Sequence, residues 1–336
     1  MPLMSTDALA AVGDELRHAI RPAGPPAFRE PLLATLHDAP FSDPAWIYER
    51  KLDGVRVIVV RDGDHLTLWS RNHKAMNAAY PELVDALVEQ GPARYVADGE
   101  IVAFDGETTS FERLQGRIHI TDPARARRTG IAVHCYLFDL IVLDDADLSG
   151  LPVVARKEVL HRAFDFDDPL RFSVHRTGDG TSFYEEACRH GWEGLIAKRA
   201  DATYPSGRSR DWLKLKCGRR QEFVVGGFTE PHGTRTGFGA LLIGYYDNGA
   251  LRYAGKVGTG YDSATLQRLR ATLDSLEQDD SPFAARVREP GAHWTRPELV
   301  AEVAFSEWTA DGKLRHPRYA GLRTDKNPHD VVREGT

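Results

Sequence analysis

The chain has 336 residues, of which 42% are hydrophobic and 27% are charged, and its formal net charge at pH 7 is −6. This composition is that of an ordinary globular protein and excludes a disordered chain, while the length fits two domains better than one. The acidic balance argues against a protein that coats nucleic acid indiscriminately, although it leaves room for a local basic face.

The apolar runs of the sequence bear on membrane insertion, and its cysteines bear on disulfide formation and metal binding. No apolar run approaches the ~20 residues that a membrane-spanning helix needs, and the first twenty residues contain acidic side chains and no signal-peptide core. Cys135, Cys188 and Cys217 are far apart, odd in number and outside Cys-x-x-Cys spacing. We therefore predict that the cysteines form neither a disulfide framework nor a zinc cluster. We also predict that the protein resides in a reducing cytoplasm.

The first two thirds of the chain alternate predicted strands and helices. Residues 1–28 are expected to be an extension, with a short amphipathic helix before the Pro/Gly-rich linker RPAGPPAFREP. A hairpin turn is predicted at Asp62-Gly63. Further strands are predicted in YVADGEIVAF, AVHCYLFDLIVL and EGLIAKR, and helices in YPELVDALVEQG and SFYEEACRHGW.

After Trp212 the sequence changes character. Spaced strands are predicted in EFVVGGF, ALLIGYYDNGALRYAGKV and LVAEVAFSEW, with a turn at Asp247-Asn248-Gly249 and one helix in SATLQRLRATLDSL. Several short strands around one helix indicate a small β-barrel. We therefore place a domain boundary near Cys217-Gly218.

A short motif precedes the first apolar strand. In YERKLDGVRVIVV, Lys51 lies between Glu49 and Asp53. A Lys-x-Asp-Gly tetrad is weak evidence by itself, since about one chain in twenty of this length would contain one by chance. Taken alone, it would be a solvated turn at the start of a strand.

Further charged and aromatic residues follow this motif in a fixed order. They are Arg71, Glu100, Phe138, Glu193, Lys198, Lys214, Lys216, Arg323, Asp325 and Lys326. Each has an ordinary explanation by itself: Phe138 would suit a core, and the lysines of WLKLK would suit the wet face of a half-buried strand. Their joint occurrence in this order is much harder to explain in that way.

The order resembles the motif set of the nucleotidyltransferase superfamily, which contains ATP-dependent DNA ligases, RNA ligases and mRNA capping enzymes. The matching segments are ERKLDGVR, Ser70-Arg71, DGEIVAFD, YLFDL, EGLIAKR, WLKLK and LRTDK. Together they extend from about Pro31 to Pro328. YPSGRSRDWLKLKC and RHPRYAGLRTDK are similar to the forms in compact bacterial ATP-dependent ligases, including the ligase module of non-homologous end-joining enzymes.

The resemblance implies an α+β fold of two domains. Residues 29–218 would form a nucleotidyltransferase (ATP-grasp-like) adenylation domain of antiparallel sheets and helices, and residues 219–336 an OB-fold β-barrel. ATP would be the co-substrate, and Mg²⁺ or Mn²⁺ the metal cofactor. The reaction would pass through a lysine–AMP adduct and an adenylated 5′-phosphate, and a 3′-hydroxyl would then displace AMP to seal the strand.

The same resemblance assigns the residues around the nucleophile. Lys51 would attack the α-phosphorus of ATP as a neutral amine. The ordinary pKa of a lysine is about 10.4, and neighbouring cations and the metal ion would favour the neutral form. Glu49 would accept a hydrogen bond from the adenine amino group, and Phe138 would stack on the base. Asp53 would orient the lysine through metal-bound water.

Sugar, phosphate and metal contacts are assigned by resemblance as well. Arg56 and Arg71 would bind ribose and phosphate, or the 5′-phosphate of a nick. Glu100 would contact the ribose and, with Glu193, the metal ion. Three lysines would neutralise the α-phosphate: Lys198, Lys214 and Lys216. Three residues of the second domain would orient the pyrophosphate leaving group: Arg323, Asp325 and Lys326.

Two basic stretches are candidates for contacts with the DNA backbone. The first is RARR, with Arg125, Arg127 and Arg128, in a predicted loop that could equally well be merely solvated. The second is RSRDWLKLKCGRR, which contributes four arginines: Arg208, Arg210, Arg219 and Arg220. Since such contacts use phosphates rather than base sequence, binding should weaken with salt.

Two alternatives stay open. The chain could be an RNA ligase or a capping-type nucleotidyltransferase, although the intact RTDK and FDL favour DNA and ATP. It could also be a non-catalytic nucleic-acid-binding module, an OB-type barrel on a decayed catalytic domain. The charged positions of every motif are filled, which argues against decay.

The expected partner is nicked or broken duplex DNA, bound by a monomer in the bacterial cytoplasm or nucleoid without membrane association. The acidic balance and the absence of a separate DNA-binding domain ahead of the motifs indicate modest intrinsic affinity for nicks. We therefore expect help from a Ku-type end-binding protein, whose docking site the sequence does not display.

Overall fold

The computed structural model describes residues 8–231 and 236–334, apart from the side chain of Arg219. The chain forms two compact units, Met1–Cys217 and Gly218–Thr336. Within the described residues, no helix is long and apolar enough to cross a membrane.

The first unit is built mainly from strands, with helices on the outside. Its strands are β1 (Arg21–Pro22), β2 (Leu32–Leu36), β3 (Trp46–Arg50), β4 (Val55–Asp62), β5 (His65–Ser70), β6 (Arg94–Asp105), β7 (Thr108–Thr109), β8 (Val133–Leu143), β9 (Ala146–Asp147), β10 (Leu170–Phe172), β11 (His175–Thr177), β12 (Gly194–Arg199) and β13 (Gly207–Lys216). Its helices are α1 (Pro81–Gln90), α2 (Phe111–Ile118), α3 (Pro123–Arg128), α4 (Val153–Ala163) and α5 (Gly180–Arg189), with 3-10 turns at Asp14–Ala19 and Asn77–Ala79.

Two sheets carry this unit. The first has the order β1-β9-β8-β6-β4-β5, with β7 on β6 and β10 on β8, and the second has the order β11-β3-β12-β13-β2. On one face of β4, Val57 and Val59 share a core cluster with Leu83 of α1. On its other face, Ile58 shares a second cluster with Trp212 of the other sheet. The alternation of strand side chains thus gives the first sheet a helix-covered face and a face towards the second sheet.

Most pairings are antiparallel, as expected, but two are not. β2 pairs with β13 and β10 pairs with β8 in parallel, so the two sheets are mixed, whereas the sequence predicted antiparallel sheets. Both β2 and β10 are short edge additions to longer antiparallel neighbours. The predicted hairpin between β4 and β5 is confirmed, with Gly63 at φ +60° in the turn.

The segment RARR forms part of helix α3 rather than the predicted loop. The Asp122 side chain accepts a hydrogen bond from the backbone N–H of Ala124 at 2.9 Å, and Pro123 occupies the first helical turn. An aspartate cap followed by proline is a strong helix start. The basic residues therefore lie on a helix of six residues.

The cysteine prediction is wrong for two of the three residues. Cys188, at the end of α5, forms a disulfide with Cys217, which directly follows β13, across 29 positions of sequence. Cys135 is the free, buried cysteine of the described residues. The pairing was not visible in the sequence because α5 packs back onto the sheet and brings distant positions together.

The second unit is a separate β-rich body with its own core. Its elements are β14 (Arg219–Thr229), β15 (Leu241–Asp247), β16 (Ala250–Val257), helix α6 (Ser263–Ser275), β17 (Glu277–Gln278), β18 (Ala292–Phe305), β19 (Glu307–Trp308), β20 (Leu314–Arg315), β21 (Arg318–Leu322) and a 3-10 turn at Pro328–Asp330. The main sheet has the order β16-β15-β14-β18-β17, with β21 on β18, and β19 pairs with β20. Leu269 and Leu273 of α6 pack in one cluster with Phe223 of β14.

Candidate active site

A pocket of the first unit collects half of the twelve residues expected at the nucleotide. Its lining is formed by Ala34, Glu49, Arg50, Lys51, Leu52, Arg56, Glu100, Phe138, Ile196, Lys198 and Trp212. Phe138 and Trp212 also belong to the core between the two sheets, so the pocket lies at the margin of that layer.

Strand register explains why these side chains converge. Across β3, β12 and β13, Glu49 lies opposite Ile196, which in turn lies opposite Lys214. Lys198 lies opposite Trp212 in the same two strands. Because side chains alternate along a strand, residues in register share a face. The charged residues of three separate motifs are therefore presented on one side of the second sheet.

Lys51 directly follows β3 and forms an ion pair with Glu193. Its Nζ lies 2.6 Å from Glu193 Oε2, and its backbone N–H donates to the Gly194 carbonyl at 2.9 Å. Burial and the charge of Lys216 lower the pKa of the amine, but Glu193, together with Glu100, outweighs both and the pKa of Lys51 is raised. Lys216 thus acts in the expected direction, towards the neutral amine, and the expected contribution of the metal ion stays a prediction.

The turn after Lys51 fixes Asp53 and Gly54. The Asp53 carboxylate accepts from the backbone N–H of Phe111 at 3.4 Å, and its own N–H donates to Thr109 Oγ1 at 3.0 Å. A Cβ on Gly54 would lie 2.2 Å from the Ile101 carbonyl oxygen, so only glycine fits there. Asp53 is thus fastened to the start of α2, beside Lys51.

Glu49 is buried and surrounded by cations. Its Oε1 lies 2.8 Å from Lys157 Nζ and 2.9 Å from Lys198 Nζ, and Oε2 accepts from the Ser173 hydroxyl at 3.0 Å. Burial alone would raise the pKa of this carboxyl, but the two lysines outweigh it and the pKa is lowered. Glu49 is therefore held as a carboxylate.

Lys198 takes part in this cluster rather than pointing at Lys51. Its Nζ lies 4.6 Å from the Phe138 ring centre and 4.1 Å from that of Trp212. Burial, together with the charge of Lys157, lowers the pKa of Lys198 to about 8 despite the attraction of Glu49. Lys198 is paired with Glu49 in this structure. Its predicted contact with the α-phosphate therefore stays a prediction.

Arg56 is anchored from behind the pocket. Its guanidinium makes a bidentate pair with Asp98, at 2.5 Å for both contacts, and also donates to the Leu32 carbonyl at 3.1 Å. The same guanidinium lies 4.7 Å from the Phe138 ring centre. The register places Glu100 opposite Arg56 across β4 and β6, so both line the pocket from the first sheet.

Arg71 lies in a tight turn that follows β5. In that turn the Ser70 N–H donates to the Lys74 carbonyl and the His73 N–H donates to the Ser70 carbonyl, both at 2.9 Å. The His73 ring stacks on Phe28, with ring centres 4.1 Å apart. The turn that carries Arg71 is thus packed against the N-terminal segment.

Glu100 and Glu193 are the two residues expected at a divalent metal ion. Among the described residues, no group of three or more His, Cys, Asp or Glu could hold a metal by itself. Glu193 contacts the Lys51 amine, and Glu100 also acts on its charge. Two carboxylates beside the nucleophile fit Mg²⁺, which prefers oxygen ligands and retains waters or substrate phosphates.

The three expected residues of the second unit form their own ion pairs. Arg323 makes a bidentate pair with Asp325, at 2.9 Å for both contacts, and Lys326 Nζ lies 3.3 Å from Glu222 Oε1. Burial lowers the pKa of Arg323, but the Asp325 carboxylate outweighs it and the pKa is raised; burial raises the pKa of Asp325, but Arg323 outweighs it and the pKa is lowered. Their predicted role at pyrophosphate stays a prediction.

The candidate DNA-contacting arginines differ in how they are held. Arg127 pairs with Asp85 at 2.6 Å and Arg128 with Asp122 at 4.0 Å, whereas Arg208 donates to the Ala34 carbonyl at 3.0 Å. Four of them are exposed in addition to Arg127: Arg125, Arg128, Arg208 and Arg210. Arg220 is exposed too, and the side chain of Arg219 lies outside the described part of the chain.

Sequence reasoning missed the partners that orient the site. Asp98 could have been found, because it lies two positions before Glu100 on the same face of β6. Trp212 could have been found in the same way from Lys214. Lys157 and Ser173 had no such signal, since they come from α4 and from the segment after β10.

Comparisons with known proteins agree along most of the chain. A family model described as ATP dependent DNA ligase domain matches residues 31–216, and one described as ATP dependent DNA ligase C terminal region matches residues 234–326. The multifunctional non-homologous end joining protein LigD of Pseudomonas aeruginosa is 39% identical over 319 residues, which cover 92% of this chain and 37% of that protein. The chain thus spans little more than a third of that relative's length.

Two further matches cover the other protein almost completely. DNA ligase C1 of Mycolicibacterium smegmatis is 32% identical over 335 residues, which cover 91% of this chain and 92% of that protein. A solved structure of mycobacterial DNA ligase D complexed with ATP and MES matches with a TM-score of 0.65 and 35% identity, covering 90% of this chain and 98% of that chain. These matches confirm the expected adenylation domain followed by an OB-fold domain.

Proposed function

The chain belongs to the ATP-dependent DNA ligases, and on that premise we propose that it seals 5′-phosphate/3′-hydroxyl nicks or breaks in duplex DNA through a Lys51–AMP intermediate. The family uses ATP and a divalent metal ion. The observation that carries the proposal is the Lys51 amine, half-buried and paired with Glu193 in a pocket that also presents Glu49 and Phe138.

In the first step the Lys51 nitrogen attacks the α-phosphorus of ATP. A nitrogen–phosphorus bond forms, the bond to the bridging oxygen breaks, and pyrophosphate leaves. The amine must first lose a proton. Any contact that draws Glu193 away from the amine leaves burial and the charge of Lys216, both of which lower the pKa of Lys51.

The metal ion, when bound by Glu193 and Glu100, supplies positive charge that offsets the charge of the phosphates. Lys214 and Lys216 lie on the same face of β13 and serve the same electrostatic purpose at the α-phosphate. Asp53, held beside Lys51 by the start of α2, fixes the conformation of the turn that carries the nucleophile.

The adenine base is held by Phe138 and Glu49. Phe138 provides the stacking face, and the Arg56 guanidinium and the Lys198 ammonium lie 4.7 and 4.6 Å from the centre of its ring. The Glu49 carboxylate accepts the amino group of adenine. Arg56, kept in place by Asp98, and Glu100 contact the ribose.

The next two steps transfer AMP and seal the strand. A 5′-phosphate oxygen attacks the phosphorus of Lys51–AMP, the nitrogen–phosphorus bond breaks, and the amine is regenerated. The 3′-hydroxyl then attacks the adenylated 5′-phosphate, loses its proton and releases AMP. Arg71 binds the 5′-phosphate, while Arg323, Asp325 and Lys326 orient the pyrophosphate of the first step.

DNA is bound through its phosphates by exposed basic residues. Arg208 and Arg210 extend from β13, the strand that also carries Lys214 and Lys216, so they are well placed to follow the backbone near the reaction centre. Arg219 and Arg220 continue the same basic stretch. Arg125, Arg127 and Arg128 are weaker candidates, because two of them already pair with aspartates.

The repair context is double-strand break joining in the bacterial cytoplasm or nucleoid, by a monomer. Support comes from the relatives whose names refer to non-homologous end joining. A Ku-type end-binding protein would raise the local affinity for broken ends. If such a protein fails to stimulate end joining at salt concentrations where the ligase alone is inactive, this part of the proposal is wrong.

A nick-sealing assay tests the function. A nicked duplex is incubated with Mg²⁺ and ATP, GTP or NAD⁺, and a nick in an RNA strand runs in parallel. We expect ATP-dependent sealing of the DNA nick and none with Lys51→Ala. Preferential sealing of the RNA nick would favour an RNA ligase, and inactivity with every nucleotide would favour a binding module.

A further inference from the structure

Lys157 is a buried cation to which the reaction assigns no task. It lies on α4, its side chain is 1% exposed, and its Nζ donates to the Ser173 carbonyl at 2.7 Å. The same nitrogen lies 2.8 Å from Glu49 Oε1 and 4.5 Å from the centre of the Phe172 ring. A buried ammonium is costly unless it is paired, so Glu49 is its essential partner.

The contacts of Glu49 leave it acceptor capacity for a ligand. A carboxylate offers about four lone-pair directions. Among the described residues, Lys157 and Lys198 form ion pairs with Oε1, and Oε2 accepts a hydrogen bond from the Ser173 hydroxyl. Glu49 also lines the nucleotide pocket. Its carboxylate can therefore accept a further hydrogen bond from a ligand in that pocket.

The charges around Glu49 fix its ionisation state. Lys157 faces it from α4, Lys198 from β12 and His175 from β11, and Asp139 of β8 acts in turn on Lys198. Burial and the charge of Lys157 lower the pKa of His175, so the imidazole is neutral at pH 7. The pKa of Lys198 is lowered as well, to about 8. Of the two lysines, Lys157 lies slightly closer to Oε1 and lowers the pKa of Glu49 more.

We propose that Lys157 is a positioning residue that holds Glu49 as an ionised hydrogen-bond acceptor and thereby makes the nucleotide pocket select adenine over guanine. The inference rests on the proposed function and deepens it. Adenine presents an amino donor at the position where guanine presents a carbonyl acceptor. An ionised carboxylate accepts from the first and repels the second, whereas a protonated carboxyl can donate to guanine.

A purely structural role for Lys157 would have a different signature. Loss of packing around α4 would lower activity with every nucleotide by the same factor and would leave the pH dependence unchanged. Loss of the charge alone would let Glu49 bind a proton at higher pH. The ratio of ATP use to GTP use would then depend on pH.

The experiment measures formation of the labelled protein–nucleotide adduct with ATP and with GTP between pH 5.5 and 8.5. The variants are Lys157→Met, Lys157→Gln and Lys157→Arg. Arg162→Met is the matched control, because Arg162 lies on the same helix, is exposed and pairs with Glu158. Thermal melting reports on folding, and Lys157→Gln, which keeps a donor and loses only the charge, is used if Lys157→Met does not fold.

We expect the two neutral variants, Lys157→Met and Lys157→Gln, to raise KM for ATP roughly tenfold while kcat stays nearly unchanged. Their preference for ATP over GTP should fall roughly tenfold as the pH is lowered. Lys157→Arg should restore most of the preference, and Arg162→Met should behave as wild type. An ATP/GTP ratio and pH profile identical to wild type in the neutral variants would overturn the inference. Failure of wild type itself to form any adduct would instead overturn the proposed function.

Discussion

Single charged residues of the pocket are stabilised by their pairing inside the fold. Lys51 pairs with Glu193, Arg56 with Asp98, and Glu49 with two lysines. The motif resemblance predicted both members of the Lys51–Glu193 pair but only Arg56 of its pair with Asp98, and it did not include Lys157 as a partner of Glu49. It could not predict ionisation, since the pKa of Lys51 depends on Glu193, which lies 142 positions away.

The Arg323–Asp325 pair gives a pH-dependent test at this scale. Arg323 holds the pKa of Asp325 below its ordinary 3.8 despite burial. A carboxyl whose pKa is lower in the folded protein than in the unfolded chain stabilises the fold at any pH above its pKa in the unfolded chain. This contribution is lost as the pH falls through its pKa in the folded protein. Asp325→Asn should therefore lower the free energy of unfolding by about 2–3 kcal/mol at pH 7.

Urea unfolding of wild type and Asp325→Asn at a series of pH values measures this difference. The difference in free energy of unfolding between the two proteins should narrow as the pH falls towards, and then below, the pKa of Asp325 in the folded protein. Asp279→Asn is the control, because Asp279 is an exposed aspartate of the same unit. A difference that stays constant with pH would mean that the carboxylate charge is not what stabilises the second unit.

Elements with clear turn residues or apolar periodicity were predictable, and elements with charged inner faces were not. The hairpin at Asn248-Gly249 follows from two residues that accept positive φ, at 51° and 77°. Helix α4 was missed because two of its buried positions are Arg156 and Lys157. The buried positions of the helix, from Val153 to Ala163, have helical spacing, but the charges of Arg156 and Lys157 hide the apolar period by which a helix is recognised.

The Cys188–Cys217 disulfide gives a test at the level of elements. It ties the end of α5 to the end of β13 across 29 positions of sequence. In the loop-entropy model, closing a loop of this length stabilises the fold by about 3–4 kcal/mol. We expect the oxidised protein to exceed the reduced protein in free energy of unfolding by this amount.

Urea unfolding with and without a reductant measures the effect, and Cys188→Ser should match the reduced wild type in both conditions. The reduced protein should still fold, because the Cys217 N–H donates to the Glu193 carbonyl and the Tyr184 hydroxyl to the Lys216 carbonyl. Equal stability of the two redox forms would contradict the prediction.

At the scale of the whole molecule, fold and family could be predicted because the motifs occur in order along most of the chain. Net charge was a poor guide to the partner, since the chain carries −6 overall and still presents exposed arginines on β13. Ion pairs decide which arginines are available to phosphates, and no sequence pattern showed the pairing of Arg127 with Asp85.

Salt dependence of nick binding tests that distinction. Each phosphate contact contributes about −0.9 to the slope of log K against log salt concentration. Arg208→Ala/Arg210→Ala should therefore reduce the magnitude of the slope by up to about 1.8, whereas Arg127→Ala/Arg128→Ala should change it much less. Fluorescence anisotropy with a labelled nicked duplex measures both variants against Arg162→Ala. A larger change in the α3 variant would reverse the assignment.

The central claim is that Lys51 becomes covalently adenylated, and peptide mapping tests it most directly. The protein is incubated with ATP and Mg²⁺, digested at neutral or alkaline pH, and analysed by tandem mass spectrometry. We predict a single AMP adduct on the peptide that contains Lys51, and no adduct on Lys51→Ala. An adduct located on Lys198, Lys214 or Lys216, or none on a protein that is folded and binds ATP, would contradict the account.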